Sequence, residues 1–113
     1  MKVDITRDGA KNVACIAAGF IGEDFTSLEL VNIKDLNRNP TGIRLDGIQF
    51  LIESGLKIYL WWGDGTFITP LEGRTKVDYS WVDSLHHKTD SLYITAKGTG
   101  AAQLILDLSK IGV

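Results

Sequence analysis

Glycine-bearing turn signals punctuate this chain from end to end and leave little room for long helices. Asp8-Gly9, Gly22, Asn39-Pro40-Thr41-Gly42, Gly55, Gly63-Asp64-Gly65, Gly73 and Gly98-Thr99-Gly100 all supply residues suited to turn geometry. Between them stand short runs rich in Ile, Leu, Val, Thr and aromatic residues, a composition that favours strands. The spacing predicts an all-β fold: a single-domain antiparallel β-sandwich over residues 1–113, with about eight strands and jelly-roll-like or Greek-key connections. The nearest approach to a helix is "FTSLELVNIKDLNRN", where Phe25, Leu28, Val31 and Leu36 half fit a 3.6-residue period. Leu28 and Leu30 fit a two-residue period as well, and the apolar run is short, so the segment is read as a strand.

Alternation then assigns faces. In "GIRLDGIQFLIES", Ile43 and Leu45 share one face, and Ile48, Phe50 and Ile52 resume it after a shift of one residue. A β-bulge at Gly47 would absorb the extra residue and keep both halves on the core. "SLYITAK" points Leu92, Ile94 and Ala96 inward and Tyr93 outward. "AAQLILDLSK" alternates Ala102, Leu104, Leu106 and Leu108 against Gln103, Asp107 and Ser109, with Ile105 as an apolar interruption. The Gly98-Thr99-Gly100 turn predicts that these last two strands form a hairpin.

The segment "YLWWGDGTFITP" poses the functional question, because two adjacent tryptophans on a strand cannot enter the same core. "LKIYLWW" places Leu56, Ile58, Leu60 and Trp62 on one face and Lys57, Tyr59 and Trp61 on the other. A two-residue Asp64-Gly65 loop would set Trp61 opposite Ile68, and a three-residue Gly63-Asp64-Gly65 loop would set it opposite Phe67. In either register the outer face carries three large apolar side chains. Three covers fit: a loop of the same chain over 77–88, a second protein chain, or a sugar ring stacked on Trp61. In "LEGRTKVDYSWVD", Val77, Tyr79 and Trp81 alternate with Asp78, Ser80 and Val82. Arg74 lies just ahead of them, at the rim of an interface or on a solvated surface. Tyr59, Trp61, Phe67, Ile68, Arg74, Tyr79 and Trp81 are therefore the candidate interface residues.

Composition narrows the classes of function. Hydrophobic residues make up 44% and charged residues 23%, ordinary globular usage. A net charge of −2 with dispersed Lys and Arg gives no basic stripe for nucleic acid or for an anionic membrane. Cys15 is the sole cysteine, so no intrachain disulfide can form, and within "NVACIAAGF" it reads as a small buried hydrophobe rather than a nucleophile. "MKVDITRDG" has charges where a signal peptide would be apolar, so folding inside the cell is expected. His86 and His87 are adjacent, with Asp83 and Asp90 nearby, but lack further ligands at metal-site spacing. Glu23 and Asp24 read as turn residues rather than a glycosidase pair. Neither catalytic residues nor cofactor nor metal are expected.

The run "GIRLDGIQFLIESGLKIYLWWGDGTFITPLEGRTKVDYSW", followed by "DSLYITAKGTGAAQLILDLSK", resembles the small all-β virion structural proteins of tailed bacteriophages. The resemblance covers 42–110 and rests on an alternating strand, a glycine, an aromatic strand closing in a tight turn, Leu-Glu-Gly-Arg, and a hydrophobic last strand. It implies a capsid cement or decoration protein on the capsid exterior, made in the host cytoplasm. Its partners would be the major capsid protein and further copies of itself, as homodimer or homotrimer, with no nucleic acid and no membrane. Many simultaneous weak contacts would stabilise the lattice. A tail or head–tail component is the alternative within that class, and a carbohydrate-binding sandwich using Trp61 and Trp81 is the alternative outside it.

Overall fold

Strands dominate because most apolar runs alternate with period two and are rich in β-branched residues, and because no run sustains a 3.6-residue apolar stripe. The computed structural model describes residues 1–22, 25–78, 86–87 and 91–113. Its strands are β1 (Lys2–Asp8), β2 (Asn12–Ile21), β3 (Phe25–Asn32), β4 (Gly42–Ile52), β5 (Leu56–Trp62), β6 (Phe67–Leu71), β7 (Arg74–Asp78), β8 (His86–His87), β9 (Ser91–Gly98) and β10 (Gly100–Ile111). A 3-10 turn, Ile33–Asp35, follows β3 and is capped by the Asn32 side chain, which accepts a bond from the Lys34 N–H.

The strands form two antiparallel sheets. The first has the order β1-β2-β10-β4-β7, with the two-residue β8 also beside β4; the second has the order β3-β9-β5-β6. The pairings are nested: β5 with β6, β4 with β7, β3 with β9, and β2 with β10. A long hairpin folded over on itself in this way is a jelly roll, here with β1 added at one edge.

One core lies between the sheets. From the first it takes Val13, Cys15 and Ala17 of β2, Leu104, Leu106 and Leu108 of β10, and the inner row of β4. From the second it takes Leu56, Ile58, Leu60 and Trp62 of β5, and Leu92, Ile94 and Ala96 of β9. Two irregularities keep the pattern inward. In β4, Asp107 pairs with Gly47 and Leu108 with Leu45, so Asp46 is the extra residue and the predicted bulge at Gly47 is present. In β3, Glu29 pairs with Tyr93 and Val31 with Leu92, and the inserted Leu30 is buried along with its neighbour Val31.

The expected hairpin of β9 and β10 does not form. β9 pairs with β3 and β5 in the second sheet, whereas β10 pairs with β2 and β4 in the first. Gly98-Thr99-Gly100 is a corner between sheets. Gly98 has φ +90°, and a Cβ there would collide with the Gly55 carbonyl oxygen, so glycine lets the two corners of the sandwich close on each other.

At the opposite end a buried lysine binds loops together. The Lys110 ammonium donates to Asp8 Oδ1, to the Gly9 carbonyl at 2.7 Å and to the Asn37 carbonyl at 2.9 Å. Asn37 N–H donates to the other Asp8 oxygen at 2.9 Å. The hydrogen bond from Lys110 is the main reason the Asp8 carboxyl is held below its usual 3.8, against partial desolvation. The sequence offered Lys110 only as a charge at a strand end.

Candidate interaction surface

The β5–β6 hairpin is built on a three-residue loop. Gly65 N–H donates to the Trp62 carbonyl at 2.9 Å, Trp62 N–H to the Thr66 carbonyl at 2.8 Å, and Thr66 N–H to Asp64 Oδ1 at 2.9 Å. Gly65 has φ +92°, the left-handed residue that such a loop needs. Gly63 N–H donates to the Ser91 carbonyl at 2.8 Å, fixing the loop to β9. Of the two registers open to the sequence, the structure has Trp61 opposite Phe67.

Leu60 pairs with Thr69, which makes Ile68 the extra residue of a bulge. Ile68 packs against the core, while Phe67 stays outside at 47% exposure. Trp62 points inward and is 2% exposed; Trp61 is half-buried on the outer face. The two indoles are thus divided between core and surface, as parity predicts.

On that outer face four rings meet. The Trp61 and Phe67 centroids are 5.0 Å apart at 64°, edge to face. Tyr93, opposite Trp61 on β9, lies nearly parallel to the indole at 6.3 Å and 10°. Tyr59 leans on Phe67 at 6.4 Å. Trp61 Nε1 donates to Thr95 Oγ1 at 2.9 Å, so the indole has its polar partner and its orientation within the sheet. Pro70, opposite Tyr59 on β6, removes an N–H from a strand at the sheet's edge. Among the described residues, Trp61 is covered by its strand neighbours rather than by a crossing loop.

The predicted interface set divides in space. Tyr59, Trp61 and Phe67 come together, Tyr93 joins them, and Ile68 turns away. Arg74 begins β7 in the other sheet, opposite Leu51, and does not approach the rings. Tyr79 and Trp81 lie outside the described residues, as do Glu23, Asp24, Asp83 and Asp90. Most of the expected covering loop, 79–85 and residue 88, is outside them too. Its described parts, Val77–Asp78 and His86–His87, pair with β4 in the first sheet.

Cys15 is fully buried and donates its S–H to the Leu30 carbonyl at 3.6 Å. Burial, aided by the charge of Asp4, raises its thiol to about 11, so it is protonated and unreactive at neutral pH. Among the described residues no three His, Cys, Asp or Glu side chains gather as a metal site.

A second apolar face escaped the sequence reading. The outer side of the first sheet shows Phe20 at 63% and Leu51 at 52% exposure, with Ala18, Ala101 and Gln103 between them and half-buried Ile16 and Ile105 one row further on. The signal was present in "NVACIAAGFI", where Ala14, Ile16, Ala18 and Phe20 make the outward row as apolar as the inward one. No protein-family model, curated protein or solved structure matches the chain.

Proposed function

We infer that this chain is a non-catalytic assembly protein whose aromatic face docks on another protein, and that it serves as a capsid cement or decoration protein of a tailed phage. The observation that carries the docking is the cluster of Tyr59, Trp61, Phe67 and Tyr93 outside the core. Rings locked by one another lose little entropy on binding, and large aromatic side chains dominate the centres of protein interfaces. The phage setting comes from the sequence resemblance, and the jelly roll is compatible with it, although that fold also hosts sugar-binding domains.

The side chains favour a protein over a sugar. A stacking platform for a sugar pairs an open ring face with directional polar groups. Within the cluster the most exposed ring is Phe67, which has no polar tip, and the Trp61 N–H is already bonded to Thr95.

The test adds purified chain to expanded heads of the encoding phage, prepared without accessory proteins, and follows co-sedimentation and thermal rupture. Binding that raises the rupture temperature and is lost in Phe67→Ser and Trp61→Ala supports the proposal. Folded protein that ignores heads but binds a glycan array through Trp61 overturns it in favour of the carbohydrate reading.

A further inference from the structure

Three features stand outside that reading: the acidic residues around the β4 bulge, the buried Lys110 knot, and the apolar outer face of the first sheet. The acidic residues have no ligand-directed observation behind them, and the knot is already satisfied. The sheet face carries more.

We propose that the outer face of the first sheet is a homodimer interface, with the two-fold axis running along β10 and the two copies packed face to face. β10 is the middle strand of the β1-β2-β10-β4-β7 path. A two-fold along it therefore lays β2 over the partner's β4 and β1 over the partner's β7. Registers then decide what meets. Gln103 is flanked by Ala18 and Leu51, so each Leu51 falls on the partner's Ala18, a large side chain over a small one. Ile105 is flanked by Ile16 and Gln49 and meets its own copy on the axis. Ala18, Leu51, Ile16 and Ile105 supply the apolar part of the contact, with Gln103 and Gln49 among them, and the edge strands are charged.

The edges are complementary under this operation. On β1 the outward residues are Lys2, Asp4 and Arg7, level with Ala18, Ile16 and Ala14. On β7 they are Arg74, Lys76 and Asp78, level with Leu51, Gln49 and Gly47. Asp4 thus faces the partner's Lys76, and Arg7 the partner's Asp78, each twice by symmetry. Three meetings are unfavourable: Lys2 with Arg74 and Phe20 with Glu53 at one end, and Asp107 with its own copy at the other.

The size also fits. Five strands about 4.8 Å apart and roughly seven residues of about 3.3 Å give on the order of 600 Å² per copy. The pair would bury about 1,200 Å², the lower end of the range for stable interfaces. This proposal uses a different surface from the aromatic cluster, and either can fail without the other.

Sedimentation equilibrium on the purified full chain is the test, with circular dichroism confirming the fold of each variant. The expected result is a dimer at about 100 µM. Leu51→Glu, and independently Ile105→Glu, should weaken it at least about tenfold, since Leu51 lies on the partner's Ala18 and Ile105 on its own copy. Lys76→Glu should weaken it, adding Asp4→Lys should restore it, and Asp107→Asn should tighten it. A monomer throughout, a dimer indifferent to Leu51→Glu, a failure of the charge swap to rescue, or a dimer dissolved by Phe67→Ser alone would each overturn the proposal.

Discussion

The two outer faces of this sandwich are both more apolar than a solvated sheet requires, yet they are made differently. On the second sheet, four rings contact one another and one is hydrogen-bonded in place, so the patch is a ridged, prefabricated surface. On the first sheet, alanines and isolated Ile, Leu and Phe side chains form a flat ground with charged edges. The difference teaches that exposed apolar area has two separable consequences. Rings that pack laterally stabilise their own sheet even without a partner, whereas a flat aliphatic face gains mainly when something lies on it.

Mutations at paired positions sharpen this contrast. The largest effect is expected from the adjacent tryptophans. Trp62→Ala empties the core and should cost about 4 kcal/mol in urea denaturation. Trp61→Ala loses ring contacts and one hydrogen bond and should cost about 2 kcal/mol. Equal costs would mean that the indoles do not occupy opposite sides of β5.

Next is the knot that secures the end of the first sheet. Lys110→Met removes the partner of Asp8 and leaves two carbonyls unpaired, an expected loss of about 3 kcal/mol. The sign of its pH dependence follows from Asp8, whose folded carboxyl is held below 3.8. Its contribution is complete above that value and fades as pH falls through the lower folded value. The stability gap between wild type and Lys110→Met should therefore narrow in acid, and a gap that widens would contradict the assignment.

A smaller effect distinguishes the faces directly. Phe67→Ser should cost about 1 kcal/mol, and a double-mutant cycle with Trp61→Ala should return a coupling of about 1 kcal/mol. Leu51→Ser in the dilute protein should change stability by less than about 0.5 kcal/mol. Smallest of all is the response of Cys15, buried with its thiol raised to about 11: disulfide reagents should leave it unlabelled until the protein unfolds.

Much of this was legible in the chain. Parity alone put Trp62 in the core and Tyr59 and Trp61 outside it, and the phase shift in "GIRLDGIQFLIES" located a bulge. What was misread depended on contacts distant in sequence. Gly-Thr-Gly between two alternating runs looks the same whether the runs pair or part, and only the competition of β3 and β5 for β9, and of β2 and β4 for β10, sends them to different sheets. Arg74 follows the rings closely in sequence, yet the chain changes sheets between Leu71 and Arg74. Tyr93 was read as outward but not joined to Trp61, since strand adjacency is not written locally. Ile68 moved inward because the three-residue loop left one residue to be absorbed by a bulge. The outward row of β2 was overlooked because alanine signals neither core nor surface by itself.

Acrylamide quenching of a Trp62→Phe/Trp81→Phe double variant, in which Trp61 is the sole tryptophan and is excited selectively over the tyrosines, examines the aromatic face most directly. The free protein should show partial quenching, between that of a buried and a fully exposed indole, falling sharply when the docking partner is added. An indole already inaccessible in the dilute, free protein would contradict the placement of Trp61 outside the core.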